Sequence, residues 1–168
     1  MTELHRFMGI SEFVEQVTRE LAATPLRSSY PSRTALARQI AQPLSRLLAE
    51  LLTPLTLPHR LWQGDINLER GEWVEPALVF GTEFTPDVVV EIADSPTLAV
   101  LTQPVRPGRD ASRKVASALG EALLYSHLYP AVVVLLHRPG VDAEYKHLWD
   151  REIMNDLWRT HKIRLILR

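Results

Sequence analysis

Hydrophobic residues in the first third of the chain recur at intervals of three and four positions, which is typical of helices with one buried face. The first set comprises Ile10, Phe13, Val14, Val17 and Leu21. A second stretch of this kind runs from Thr34 to Leu52, where Pro43 predicts a kink or a restart of the helix. Residues 24–33 between them are rich in proline, serine and threonine and predict a linker or loop. The chain is therefore expected to begin with two helices.

Short apolar runs alternate with helical stretches in the remaining two thirds. Residues 60–84 give a weak pattern that predicts antiparallel strands. Clearer strands are predicted at 88–92, 98–101, 131–136 and 163–167. Helices are predicted at 110–127 and from Asp142 onward, with Tyr145, Leu148, Trp149, Ile153 and Leu157 on one side. The resulting order, α-α-β-β-β-α-β-α-β, indicates an α/β protein.

Length and composition limit the classes of protein that remain. A chain of 168 residues fits one domain, which we expect at 31–168, preceded by a helical arm and linker at 1–30. The absence of cysteine excludes disulfides, thiolate zinc sites and cysteine nucleophiles, and it fits a cytoplasmic protein. The sequence predicts neither a secretion signal nor a membrane span, since no apolar run approaches the ~20 residues that a bilayer requires.

The formal net charge of −1 gives no global attraction for nucleic acid. It counts against a protein that coats nucleic acid in bulk, although it does not exclude an enzyme. Contact with DNA or RNA would have to be local. The candidate patch consists of Arg106, Arg109, Arg113 and Lys114.

Three sequence features carry a resemblance to a known family. Pro86-Asp87 opens a β-branched run, and Glu121 with Tyr125 is similar to a Gln-x-x-x-Tyr helix motif with Glu replacing Gln. The third feature is Tyr129-Pro130 leading into the apolar run 131–136. With the element order, these features resemble the PD-(D/E)XK, or restriction-endonuclease-like, superfamily over roughly Thr34–Arg168. The resemblance implies a restriction-endonuclease-like core, which is a mixed central sheet flanked by helices.

The same resemblance implies a metal-dependent nuclease site whose strand motif is degenerate. In such proteins an aspartate at the position of Asp87 binds a divalent cation, usually magnesium. An acid and a lysine two positions apart on the next strand complete the site. Leu101 and Gln103 stand at these positions. Leucine cannot ligate a cation and glutamine carries no charge.

The missing groups have a candidate replacement on the following helix. At 100° per residue, Lys114, Glu121 and Tyr125 fall within about 40° of one another. Together with Asp87 they would form a relocated catalytic site, in which Asp87 and Glu121 bind Mg²⁺ or Mn²⁺. The simpler interpretation is a half-exposed helix whose lysine and glutamate are solvated. Glu91, on the face of Asp87, is either a second ligand or a carboxylate facing water.

Two functions follow, and the first is preferred. It is a catalytically degenerate nuclease-like domain that acts as a nucleic-acid-binding or protein-assembly module, whose partner is nucleic acid, another protein or a second copy in a homodimer. The alternative is an active magnesium- or manganese-dependent nuclease. Six scattered histidines show no metal-ligand spacing and are interpreted as surface or interface residues. Trp62 and Trp73 are candidates for a binding or dimer surface.

Overall fold

A computed structural model describes residues 7–63, 77–79, 82–140 and 151–168 of the chain. Within these ranges the helices are α1 (Ile10–Ala23), α2 (Arg33–Leu52), α3 (Ala111–Tyr125) and α4 (Arg151–His161). The strands are β1 (His59–Gln63), β2 (Ala77–Val79), β3 (Thr82–Phe84), β4 (Val88–Ile92), β5 (Ser95–Pro104), β6 (Ala131–His137) and β7 (Ile163–Leu167). A short 3-10 turn, Thr53–Leu55, follows α2.

Five strands form one mixed sheet in the order β1-β4-β5-β6-β7. β1, β4 and β5 pair in antiparallel fashion, whereas β5, β6 and β7 are parallel. Helices α3 and α4 lie in the two parallel crossovers, as such connections require. β2 and β3 pair separately as a small antiparallel sheet. The molecule is thus an α/β protein with a five-stranded mixed sheet packed against four helices, and the predicted α/β class is confirmed.

Both faces of the sheet are covered, which explains the continuous apolar runs of its central strands. In β6, Val133 and Leu135 contact the cluster under α1 and α2, whereas Val132 and Val134 contact the cluster under α3. All seven residues of β6 are buried. A strand of this kind needs apolar side chains at every position, because neither side faces water.

Helix α1 packs on its own chain. Phe13, Val14, Val17 and Leu21 have no exposed surface and share one hydrophobic cluster with α2 and the sheet. The helix also contacts β6 and β7 directly. The sequence pattern sets residues 1–30 apart as an arm, but in the structure residues 10–23 complete one side of the core.

Other boundaries differ from the predicted ones in detail. Helix α2 continues through Pro43 without a restart, with Ile40 and Leu44 fully buried on either side of the proline. Strand β5 begins at Ser95 and is longer than the apolar run 98–101. The helix predicted from Asp142 is described from Arg151 onward, so the first nine residues of that prediction, Trp149 among them, lie outside the described residues. Trp73 also lies outside them. No described helix combines the length and hydropathy needed to cross a membrane.

Candidate functional site

Asp87 and Glu121 lie on opposite sides of a single guanidinium group, that of Arg33. Arg33 donates from Nε and Nη2 to Asp87 Oδ2 at 3.2 and 3.1 Å. Its Nη1 atom lies 2.9 and 2.8 Å from the two carboxylate oxygens of Glu121. The three residues come from the first position of α2, the turn before β4 and the middle of α3. We refer to Arg33, Asp87 and Glu121 as the Arg33 cluster.

Local structure holds each member of the Arg33 cluster in place. Ser32 caps α2 by accepting a hydrogen bond from Ala35 N at 3.2 Å, which positions Arg33 at the start of the helix. Asp87 Oδ2 also accepts from the backbone N–H of Thr102 at 2.6 Å. The Thr102 hydroxyl lies 3.1 Å from the same oxygen and 3.0 Å from the Arg33 carbonyl, and it can donate to one of them at a time.

The Arg33 cluster is largely shielded from solvent. The side chains of Asp87 and Glu121 are 13% and 15% exposed, and that of Arg33 is 29% exposed. Burial acts to lower the pKa of Arg33, but the charges of Asp87 and Glu121 outweigh it and hold that pKa above its ordinary value. The cluster therefore contains two carboxylates and one permanent cation, with a formal charge of −1.

The position between the two carboxylates, where a divalent cation would bind, is occupied by the guanidinium. No group of three or more histidine, aspartate or glutamate residues suited to a metal ion occurs among the residues that the structure describes. A guanidinium offers only donors, so it neutralises carboxylates without holding or activating a water molecule as a metal does. Asp87 and Glu121 are the residues that could hold Mg²⁺ or Mn²⁺, and Arg33 would have to leave first.

Tyr125 follows Glu121 by four residues on α3, and its hydroxyl is fully buried. This hydroxyl has no hydrogen-bond partner in the described part of the chain. Burial raises the pKa of Tyr125, and the charges of Glu121 and Asp87 raise it further, while Arg33 acts in the opposite direction. The ring meets Tyr129 edge-on at a centroid distance of 6.2 Å. Tyr125 is thus a neutral core residue at neutral pH, with its ring in the cluster under α3.

Leu101 and Gln103, on β5, contribute no ligand to the Arg33 cluster. Leu101 is fully buried in the hydrophobic cluster under α3. The amide nitrogen of Gln103 donates to the carbonyl of Pro104 at 2.9 Å. Alternation along the strand puts both side chains on the face opposite to that of Thr102.

Lys114, the fourth residue of α3, lies two turns before Glu121, a separation of about 10 Å along the helix axis. Among the described residues, no hydrogen bond or ion pair to the Lys114 side chain is present. Of the other cations in the candidate patch, Arg106 and Arg109 are exposed, and Arg113 pairs with Asp110 at 3.1 Å. The structure therefore brings Asp87 and Glu121 together but does not join Lys114 to them.

Glu91 and Trp62 are engaged with each other. Trp62 Nε1 donates to Glu91 Oε2 at 3.1 Å across the β1–β4 pair. This contact uses the polar atom of the indole and holds the Glu91 carboxylate against β1. The hydrogen bond satisfies a polar atom of each residue, so the positions of Trp62 and Glu91 are explained without a bound ligand.

His137 is a buried residue, contrary to its interpretation as a surface or interface histidine. It is 5% exposed at the end of β6, and neither ring nitrogen has a partner among the described residues. Tyr30 meets its ring edge-on at a centroid distance of 5.1 Å. The position follows from the parallel pairing of β6, which places His137 beside Pro104 inside the sheet.

Arg33 is the functional residue that the sequence pattern misses. It ends a segment predicted as a loop, and its partners lie 54 and 88 positions further along the chain. Its position directly after the capping residue Ser32 is a signal for a helix start but not for a contact with carboxylates.

Comparisons with protein-family models, with curated proteins and with solved structures found no match for this chain. The proposed function therefore rests on the resemblance in sequence together with the geometry of the described residues.

Proposed function

We propose that this chain is a catalytically degenerate nuclease-like domain that serves as a binding or assembly module. The resemblance in sequence supplies the nuclease-like part of the proposal. The proposed loss of catalysis is supported by the Arg33 guanidinium, which contacts Asp87 and Glu121 at 2.8–3.2 Å. A resident cation in that position satisfies both carboxylates without a metal.

The chemistry of phosphodiester hydrolysis supports this assignment. A magnesium-dependent nuclease needs carboxylate oxygens open to the metal, coordination positions left for water and phosphate, and a nearby cation. Here both carboxylates are engaged by Arg33, and Asp87 is further engaged by Thr102. Leu101 and Gln103 add neither an acid nor a charge on β5.

Cleavage assays test the loss of hydrolysis. Wild-type protein and Asp87→Asn, purified identically, are incubated with single-stranded DNA, double-stranded DNA and RNA in Mg²⁺ or Mn²⁺. We expect the wild type to cleave no faster than the variant in every combination. Metal-dependent cleavage by the wild type that Asp87→Asn removes would establish the alternative, an active nuclease. A background that both proteins share would be contamination and would leave the expected result in place.

A binding experiment separates the two kinds of partner. A variant with Arg106, Arg109, Arg113 and Lys114 all changed to glutamine removes the candidate patch. Its matched control changes four exposed arginines elsewhere, namely Arg19, Arg27, Arg46 and Arg159. If the partner is nucleic acid, oligonucleotide affinity and its salt dependence should fall in the patch variant and not in the control. If the partner is a second copy, sedimentation should show a dimer at micromolar concentration, and the binding assay should detect no affinity for oligonucleotides.

A further inference from the structure

A groove of about 590 Å³ lies beside the first half of α3, at the ends of β5, β6 and β7. Its walls are aliphatic and include Val105, Val115, Leu119, Leu136 and Leu167. This volume falls in the range of roughly 300–1,000 Å³ that is typical of sites for small molecules. The groove shares no residue with the Arg33 cluster, so it requires its own explanation.

Cationic side chains outnumber acidic ones around the groove, and Asp110, between the lining residues Gly108 and Ala111, is paired with Arg113 at 3.1 Å. Arg138 lines it, and Gly108, which also lines it, stands between the exposed residues Arg106 and Arg109. No carboxylate is among the lining residues. Within the part of the chain that the structure describes, no acidic side chain pairs with Arg138, Arg106 or Arg109. Aliphatic walls, with cations at the rim that no described acidic side chain pairs, complement a ligand that has an apolar body and an anionic head.

We propose that this groove binds a small aliphatic amphiphile with one anionic head group, of the medium-chain carboxylate type. Arg138 binds the head group, and the side chains of Val115, Leu119 and Leu136 enclose the body. A nucleobase fits less well, because base recognition in single strands relies on aromatic platforms and this lining contains none. The inference goes beyond the proposed function and stands independently of whether the chain hydrolyses nucleic acid.

Calorimetric titration of the full chain with decanoate, below its micelle-forming concentration, tests the proposal. We expect saturable binding at one site per chain. Octanoate should bind roughly tenfold more weakly, since two fewer methylene groups are removed from water. Decanol, which lacks the charge, should bind at least fivefold more weakly than decanoate.

Two variants locate the site. Ala116 lines the groove at an exposed position of α3, so Ala116→Phe fills the groove without changing the core. It should abolish decanoate binding, whereas Ala23→Phe, at an exposed position of α1, should leave affinity within twofold. Arg138→Gln should weaken decanoate at least fivefold and leave decanol unchanged. Circular dichroism and thermal melts confirm that each variant is folded.

Three results would overturn the inference. They are the absence of saturable decanoate binding to the wild type, decanoate binding that survives Ala116→Phe in a folded protein, and equal affinities for decanoate and decanol. Binding of a single-stranded oligonucleotide that Ala116→Phe abolishes, with no decanoate binding, would assign the groove to nucleic acid. That last result would contradict the amphiphile site while supporting a nucleic-acid module.

Discussion

Replacing Arg33 by methionine keeps a long side chain at the start of α2 but removes the charge that joins Asp87 to Glu121. The variant loses four contacts of 2.8–3.2 Å and leaves two carboxylates, 13% and 15% exposed, without a cation. Asp87 retains its hydrogen bond from Thr102 N. Among its contacts with described residues, Glu121 retains only one of 3.5 Å with the hydroxyl of Ser117.

The expected cost follows from the degree of burial. Removing one partner of a fully buried ion pair costs about 3–5 kcal/mol, because a charge is left without compensation. Arg33 is 29% exposed, so water screens part of the interaction, and we expect a loss of about 2–3 kcal/mol in the free energy of unfolding. For a domain of this size, that corresponds to a fall of roughly 4–12 °C in melting temperature.

Urea unfolding measures this loss as a lower midpoint with an unchanged m value. The matched control is Arg19→Met, because Arg19 and its partner Glu15 are each 67% exposed and 3.6 Å apart. Its effect should stay within about 0.5 kcal/mol.

The triple variant Arg33→Met, Asp87→Asn, Glu121→Gln should recover much of the lost stability, because the uncompensated charges are gone. A single variant as stable as the control, or a triple variant no more stable than the single one, would refute the charge-compensation argument.

Three further outcomes follow from the same structure. Arg33→Ala should bind Mn²⁺ in calorimetry where the wild type does not, and adding Asp87→Asn should abolish that binding. Burial raises the pKa of Tyr125 above its ordinary value of 10.0, so the stabilisation that comes from keeping this phenol protonated is complete below about pH 10 and is lost at higher pH. Tyr125→Phe should therefore flatten the alkaline decline in the free energy of unfolding measured with urea. At pH 8 the same substitution should be neutral or slightly stabilising, because the hydroxyl has no partner among the described residues. Phe13→Ala should cost about 3–5 kcal/mol in the same assay, because Phe13 is fully buried, whereas an arm outside the core would lose almost nothing.

The α/β class was predictable because the local patterns report burial directly. A strand such as Val88–Val90 or Ala131–Leu136 is apolar at every position only where both faces are covered, and the structure shows that condition for β4 and β6. The order of helices and strands follows from the same patterns. The pattern of α1 predicts a buried face equally well, but periodicity does not reveal what covers that face. Its contacts with β6 and β7 arise only when the chain is folded.

The Arg33 cluster was predictable in part. Asp87 and Glu121 were candidates because of the residues around them and the resemblance, and the structure places them within reach of one guanidinium. Arg33 itself carries no local signal, since a single arginine at a helix start is ordinary. Its role depends on contacts across 54 and 88 positions, which hydrophobic periodicity does not encode. The groove beside α3 was missed for the same reason, because Arg138 and Val115 become neighbours only in the fold.

The kind of cation between Asp87 and Glu121 determines whether this carboxylate pair could support hydrolysis in addition to stability. Two largely buried carboxylates need positive charge between them, and either a divalent metal or an arginine meets that need. A metal would keep open positions for water and phosphate, whereas the guanidinium uses its N–H donors on Asp87 and Glu121 and has no acceptor for a proton. The Arg33 side chain therefore joins α2 to the turn before β4 and to α3 without requiring a metal. If Arg33→Ala gains Mn²⁺ binding without gaining cleavage, the carboxylate pair is able to hold a cation. Under the proposed function, the lack of an acid and a lysine at Leu101 and Gln103 would then account for the absence of cleavage.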